Sequence, residues 1–137
     1  MQITKVQTLS LLLLAASFFC FIQKDNGLAF DKKTLKFDKV DEGKLVTLIY
    51  SFTNESKQPV IFKDFKTSCH CTKAILPKTP VAHNQKGEIK VTFDTNKKIG
   101  YQERTITIIT NLGEYELKFK GVVNASKETI EEYKQKN

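Results

Sequence analysis

The chain has 137 residues, of which 40% are hydrophobic and 27% charged, with a formal net charge of +7, three cysteines and no tryptophan. This length supports one domain with a single hydrophobic core. The composition excludes collagen, a disulfide-dense scaffold, a multi-span membrane protein, a multidomain enzyme and a largely disordered chain.

Residues 1–22 have the pattern of an export segment. A positive charge at Lys5 precedes an apolar run over residues 11–22, and this order is typical of secretory signal peptides. Ala15 and Ser17 carry the small side chains that signal peptidase prefers, so cleavage after Ser17 or nearby is the favoured prediction. The chain is therefore expected in the periplasm or the cell envelope.

Two alternatives remain open for this segment. An uncleaved membrane anchor needs ~20 apolar residues, and residues 9–22 fall short of that length. Cys20 is a candidate lipidation site, although Phe18 and Phe19 stand where small residues are expected. Contact with a membrane is predicted only through this segment, if it is retained or lipidated.

From residue 28 onward, apolar and polar residues alternate with a period of two. Val46, Leu48, Tyr50 and Phe52 lie on one face of such a segment, and later segments repeat the pattern. This alternation is typical of strands in a sheet with one buried and one solvated face. Turn residues separate the segments, and strands are predicted near residues 35–40, 44–53, 59–66, 69–75, 87–94, 103–110 and 114–123.

This arrangement predicts an all-β chain, in which a signal helix precedes an Ig-like antiparallel β-sandwich of about seven strands over residues 28–124. Because Phe62 and Phe65 are three residues apart, a β-bulge is expected at Lys63 and Asp64 if both rings face inward. The charged tail over residues 125–137 is expected to be a frayed end in preference to a short helix.

Motifs of known enzyme classes are nearly absent from the sequence. The chain has no Gly-rich phosphate loop after a strand, no Gly-x-Ser-x-Gly elbow and no His-Glu-x-x-His pair. The sequence therefore predicts neither an enzyme nor a cofactor.

The positive charge is carried almost entirely by lysines, which are dispersed over the predicted strands and turns. Arg104 is the only arginine, so bidentate contacts to phosphate and guanine are scarce. Nucleic-acid binding is therefore not expected.

Cys69, His70 and Cys71 form an unusual cluster, and three interpretations of it stay open. Residues two apart in a strand have Cα atoms ~6.6 Å apart, so a disulfide between Cys69 and Cys71 needs a turn and would be easily reduced. Two thiolates also suit Cu(I) or Zn, with His70 or His83 as further ligands if the backbone turns. In the third interpretation, the cysteines pack as small apolar side chains.

Four segments together resemble a known family. They read Phe-x-x-Val-x-Glu-Gly at residues 37–43, Tyr-x-Phe-Thr-Asn at 50–54, Ser-Cys-His-Cys-Thr at 68–72, and Pro-x-x-His-Asn-x-x-Gly-x-Ile-x-Val-x-Phe at 80–93. Over residues 35–123 the chain resembles the exported bacterial Ig-like family that carries domain of unknown function fifteen-seventy-three. That family is related in fold to Hydin-type and major-sperm-protein-type domains.

The resemblance implies a sandwich, export and a special character for Cys69 and Cys71, and it implies no established activity. The family pattern has glycine in place of His70 and Pro-Gly in place of His83 and Asn84. The resemblance therefore implies no shared metal site at the histidines.

These observations predict a non-catalytic binding or structural module of the cell envelope. By analogy with other Ig-like folds, an envelope protein partner would add a strand to an exposed sheet edge or dock on a sheet face. The alternative is a thiol-redox or copper-handling protein that uses Cys69, His70 and Cys71.

Overall fold

A computed structural model describes residues 27–136. These residues form nine strands and one helix. The strands are β1 (Leu28–Phe30), β2 (Thr34–Lys36), β3 (Val40–Asp41), β4 (Leu45–Asn54), β5 (Phe62–Thr67), β6 (Thr72–Ile75), β7 (Lys86–Asp94), β8 (Gly100–Thr110) and β9 (Gly113–Asn124), and helix α1 spans Lys127–Gln135.

The strands form two sheets that pack face to face around one core. Sheet A has the order β1-β4-β7-β6, and sheet B has the order β2-β9-β8-β5, with β3 also paired to β9. Alternate residues of β4, β7 and β9 are buried between the sheets. Phe93 of β7 and Phe119 of β9 meet across this interface, with ring centroids 5.2 Å apart. The predicted Ig-like sandwich is confirmed.

The N-terminal part of the sandwich is shared between the two sheets. The sequence predicts one strand over residues 35–40, whereas the chain forms β1, which pairs antiparallel with β4, and then β2 and β3, which pair parallel with β9. These two parallel pairs are exceptions in an otherwise antiparallel fold. The prediction misses the split because segments of two or three residues are too short to show a period.

A glycine on β9 makes room for this N-terminal segment. The ring of Phe37, just after β2, packs where Gly121 has no side chain, and a Cβ atom at Gly121 would lie 2.5 Å from that ring. At the edge of sheet B, the register of β5 against β8 shifts between Phe62 and Asp64. The predicted β-bulge at Lys63 and Asp64 is therefore confirmed.

The C-terminal tail forms helix α1, so the expected frayed end is wrong. The Ser126 hydroxyl caps the helix by accepting the Thr129 N–H at 3.2 Å. The Glu42 carboxylate accepts the Ser126 N–H at 2.9 Å and the Thr129 hydroxyl at 2.7 Å. Because Glu42 is distant in sequence, the tail's own pattern does not show these contacts.

The predicted export segment, residues 1–22, lies outside the described residues, as does the lipidation candidate Cys20. Within residues 27–136, no helix has the length and apolar character needed to cross a membrane.

Candidate functional site

The Cys69-His70-Cys71 cluster lies in a turn at one side of the sandwich. The turn connects β5, the edge strand of sheet B, with β6, the edge strand of sheet A. Because β6 begins at Thr72, the strand predicted over residues 69–75 starts too early. The cluster thus links the two sheets at the side where both of them end.

A disulfide joins Cys69 and Cys71 across this turn, with Cα atoms 5.2 Å apart. Residues two apart in an extended strand are ~6.6 Å apart, so the disulfide holds this segment out of the strand conformation. The prediction that a disulfide between these cysteines needs a turn agrees with this geometry. The interpretation in which both cysteines pack as free thiols does not agree with it. Cys71 nevertheless packs against the core, while His70 is exposed.

Hydrogen bonds tie the turn to the strands on either side of it. The Cys69 carbonyl accepts the Thr67 hydroxyl at 2.9 Å and the Thr72 N–H at 3.3 Å. The Cys71 carbonyl accepts the Asp94 N–H at 2.8 Å. The two sulfur atoms lie 3.6 and 3.9 Å from the Thr72 hydroxyl. The disulfide therefore lies directly at the start of β6.

The structure does not gather the predicted metal ligands. His83 Nδ1 donates a hydrogen bond to the Ser56 carbonyl at 2.7 Å. In the described part of the chain, no group of three His, Cys, Asp or Glu side chains is arranged to hold a metal ion. With the disulfide closed, neither Cys69 nor Cys71 offers a thiolate, so a soft metal would need the reduced pair.

The outer edge of β6 presents unpaired backbone groups. Along an antiparallel strand, every second residue directs its backbone N–H and C=O toward the neighbouring strand. The Cys71 carbonyl accepts the Asp94 N–H beside β7, so Lys73 and Ile75 also face β7. Thr72 and Ala74 consequently direct their backbone groups outward, away from β7. The Thr72 N–H is taken by the Cys69 carbonyl, whereas the Ala74 N–H and C=O have no backbone partner on this side among residues 27–136.

The other edge strands are blocked or very short. In β5 the bulge interrupts the edge, and the Phe65 N–H donates to the Asp64 carboxylate at 2.8 Å. β1 and β2 have three residues each, and the Leu28 N–H of β1 donates to the Tyr115 hydroxyl at 3.3 Å. Bulges, local caps and short length are the usual protections of sheet edges.

The side chains beside the open edge combine positive charge with apolar surface. Lys73 and Ile75 point to the outer face of sheet A, where Ile75 is 56% exposed. Lys90 of β7 pairs with Ile75 on one side and with Ile49 of β4 on the other, and Ile49 is 50% exposed. A strand added to β6 would therefore meet Lys73 and Ile75 on this face.

Sequence reasoning identified the cysteines and missed Thr72 and Ala74. Strands at an edge and strands inside a sheet have similar alternation, so the pattern over residues 69–75 does not show that β6 is an edge. One local signal is Pro77, because proline has no N–H for a ladder and is common beside edge strands.

The family described as "Protein of unknown function (DUF1573)" matches residues 28–123. This chain belongs to that family. The match spans both sheets, the cysteine turn and β6, and it confirms the resemblance that the motifs indicate. No functionally curated protein is significantly similar to the chain in sequence, and the DUF1573 description assigns no activity.

Solved structures share the fold of this DUF1573 chain at low sequence identity. The ASH/PapD-like domain 7 of human CEP192 aligns with a TM-score of 0.61 at 7% identity, covering 74% of this chain and 88% of that one. A protein of unknown function from Porphyromonas gingivalis W83 has a TM-score of 0.59 at 13% identity, with 77% and 51% covered. The Vibrio cholerae VesB protease has a TM-score of 0.54 at 13% identity, with 72% and 32% covered. These similarities show the sandwich fold alone.

Proposed function

We propose that the chain is an exported, non-catalytic binding module of the cell envelope that holds an extended segment of a partner protein by strand addition. The open edge of β6 is the observation that carries this proposal. The backbone groups of a sheet edge bind an extended chain of any sequence, and the neighbouring side chains give selectivity. In residues 27–136, β6 is an edge strand without a bulge, and the outward Ala74 N–H and C=O have no backbone partner, although the Thr72 N–H is covered by the Cys69 carbonyl.

The added segment would run beside Ala74. Its backbone would accept the Ala74 N–H and donate to the Ala74 C=O, as neighbouring strands do. Its outward side chains would lie beside Lys73 and Ile75, so a segment with an acidic and an aliphatic residue two positions apart fits this edge. The net charge of +7 also favours an acidic partner.

Export is proposed from the basic and apolar pattern of residues 1–22. Mass spectrometry of the mature N-terminus distinguishes cleavage near Ser17, a retained anchor and a lipidated Cys20, because each product has a different mass. An intact N-terminus on protein in the soluble cytosolic fraction would contradict the proposed location.

Site-specific photo-crosslinking in envelope extract tests the binding edge. A photo-reactive residue replaces the exposed Lys73 of β6 or, as a matched control, the exposed Lys63 of β5. We expect position 73 to crosslink to a partner protein and position 63 to give no such product. Ala74→Pro should abolish the crosslink at position 73, because it removes the outward N–H and leaves the hydrogen bonds to β7 intact.

Urea unfolding of each variant shows whether the sandwich is retained. A folded Ala74→Pro protein that crosslinks as strongly as its parent would contradict strand addition at β6. A third photo-reactive position replaces the exposed Ile49 on the outer face of sheet A. Crosslinks from this position, with none from position 73, would instead place the partner on the face of sheet A. Turnover of a substrate by the purified protein would contradict its non-catalytic character.

A thiol-redox or copper-handling function is the second candidate, and the disulfide favours it. Cys69 and Cys71 are half-buried between exposed Ser68 and His70, so a thiol reagent or a soft metal can reach them. Thiol titration after mild reduction, together with Cu(I) competition on the reduced protein, tests this function. A disulfide that resists mild reduction, together with no copper uptake by the protein, would exclude it.

A further inference from the structure

The disulfide turn covers part of the open edge. Thr72 and Ala74 both direct their backbone groups outward from β6, so both belong to the edge that an added strand would use. The Thr72 N–H is already bound to the Cys69 carbonyl. That carbonyl therefore takes the position that a carbonyl of the partner strand would otherwise occupy.

The disulfide is the strongest restraint on the Cys69 carbonyl. The Thr72 N–H···O distance of 3.3 Å is long for a backbone hydrogen bond, so that bond by itself is weak. The Thr67 hydroxyl adds one further hydrogen bond to the same carbonyl, at 2.9 Å. The disulfide fixes the Cα atoms of Cys69 and Cys71 at 5.2 Å, which is shorter than an extended chain allows.

We propose that the Cys69–Cys71 disulfide is a redox switch that sets the length of the binding edge of β6. This proposal rests on the strand addition proposed above. With the disulfide closed, the usable edge begins at the Thr72 carbonyl and the Ala74 N–H. With it open, residues 69–71 are free to adopt the extended conformation that their sequence pattern predicts, and the Thr72 N–H becomes available. The reduced form therefore binds the partner segment more tightly.

The switch needs a dithiol as reductant, supplied in the envelope by a dithiol protein and in the test by dithiothreitol. One thiolate of the dithiol attacks a sulfur of the disulfide, which forms a mixed disulfide and releases the other cysteine as a thiolate. The second thiolate of the reductant then attacks the mixed disulfide and releases the remaining cysteine. The dithiol loses two electrons and two protons, and Cys69 and Cys71 gain them as two thiols.

The crosslinking assay at position 73 tests this switch without any reductant in the extract. The double variant Cys69→Ser/Cys71→Ser keeps the turn open, and the parent protein is used in its oxidised form. We expect the double variant to give about threefold to tenfold more crosslinked partner, as one additional hydrogen bond to the partner predicts. Ser68→Ala, at an exposed position beside the disulfide, is the matched control, and it should behave like the parent.

Amide hydrogen exchange on the isolated protein provides a second measurement. In the protein reduced by dithiothreitol, the Thr72 N–H should exchange faster than in the oxidised protein. The N–H groups of Lys73 and Ile75, which face β7, should keep their rates. This comparison uses the unmodified chain, so it holds even if the double variant fails to fold.

The outcomes separate the switch from the binding function. Suppose that the oxidised parent and the double variant give equal yields of crosslinked partner, and that Ala74→Pro abolishes the crosslink. This result would overturn the switch and retain strand addition. A lower yield from a folded double variant, or a Thr72 exchange rate that reduction leaves unchanged, would also overturn the switch. Crosslinks that are insensitive to Ala74→Pro would overturn strand addition and the switch together.

Discussion

Asn54 connects three segments of the chain through one fully buried side chain. Its Nδ2 donates to the carbonyls of Gln58 and Val81, both at 2.8 Å, and its Oδ1 accepts the N–H and hydroxyl of Ser56 at 2.9 and 2.7 Å. Asn54 is the last residue of β4. Its burial depends on Val81, which is distant in sequence, so no local pattern predicts it.

Asn54→Ala should lower the free energy of unfolding by about 3 kcal/mol, because it removes the hydrogen bonds to the Gln58 and Val81 carbonyls and leaves the buried Ser56 N–H without its acceptor. Asn96→Ala, at an exposed turn position, is the control and should change the free energy by less than about 0.5 kcal/mol. Urea unfolding measures both variants. Equal stability of the two variants would contradict the structural role of Asn54.

Strands are predictable from this sequence where they are long and lie between a buried and a solvated face. β4, β7 and β9 agree with the predicted strands within a few residues, because each contains several repeats of the apolar–polar alternation. The turn at Cys69 and Cys71 is not predictable in this way, since alternation continues through it and only the disulfide interrupts the strand. The chemistry of the site was visible in the two cysteines, while the edge position of β6 depends on sheet order.

Helix α1 depends on a carboxylate from outside its own segment. Glu42 accepts N–H groups from Lys97 and Ser126 and the hydroxyl of Thr129, at 2.7 to 2.9 Å. The hydrogen bonds from Ser126 and Thr129 lower the pKa of Glu42 from 4.5 to about 2. Because this pKa is depressed in the folded state, the carboxylate's contribution is complete above pH 4.5 and is lost as the pH falls toward 2.

We therefore expect helix α1 to open in acid before the sheets unfold. Glu42→Gln should open the helix already at neutral pH and remove its acid dependence between pH 4.5 and 2. Glu131→Gln, on the exposed side of the helix, should behave like the parent protein. Amide exchange of residues 127–135 measures the effect, and an acid dependence that persists in Glu42→Gln would contradict this role.

On the scale of the whole molecule, a buried hydroxyl joins the two sheets across the core. Tyr50 of β4 donates to the Lys118 carbonyl of β9 at 2.6 Å. Burial raises the pKa of the Tyr50 hydroxyl above its usual value of 10. Because ionisation is disfavoured in the folded state, the stability that this group contributes is complete below pH 10 and declines at higher pH.

Tyr50→Phe should lower the free energy of unfolding by about 1 kcal/mol at neutral pH, since it removes a hydrogen bond between the two sheets. It should also reduce the loss of stability above pH ~10. Tyr101→Phe removes a hydroxyl that is bonded to Glu103 on the same strand at the surface, so it should have little effect at neutral pH. A Tyr50→Phe protein as stable as its parent across this pH range would contradict the link between the sheets.

Hydrogen exchange at the Ala74 amide, measured with and without the crosslinked partner's isolated binding segment, tests the binding edge most directly. Strand addition at β6 predicts that the segment slows exchange of Ala74 selectively, while amides of β5 keep their rates. If the segment leaves the exchange rate of Ala74 unchanged and instead protects amides of β1 or of sheet B, strand addition at β6 is contradicted.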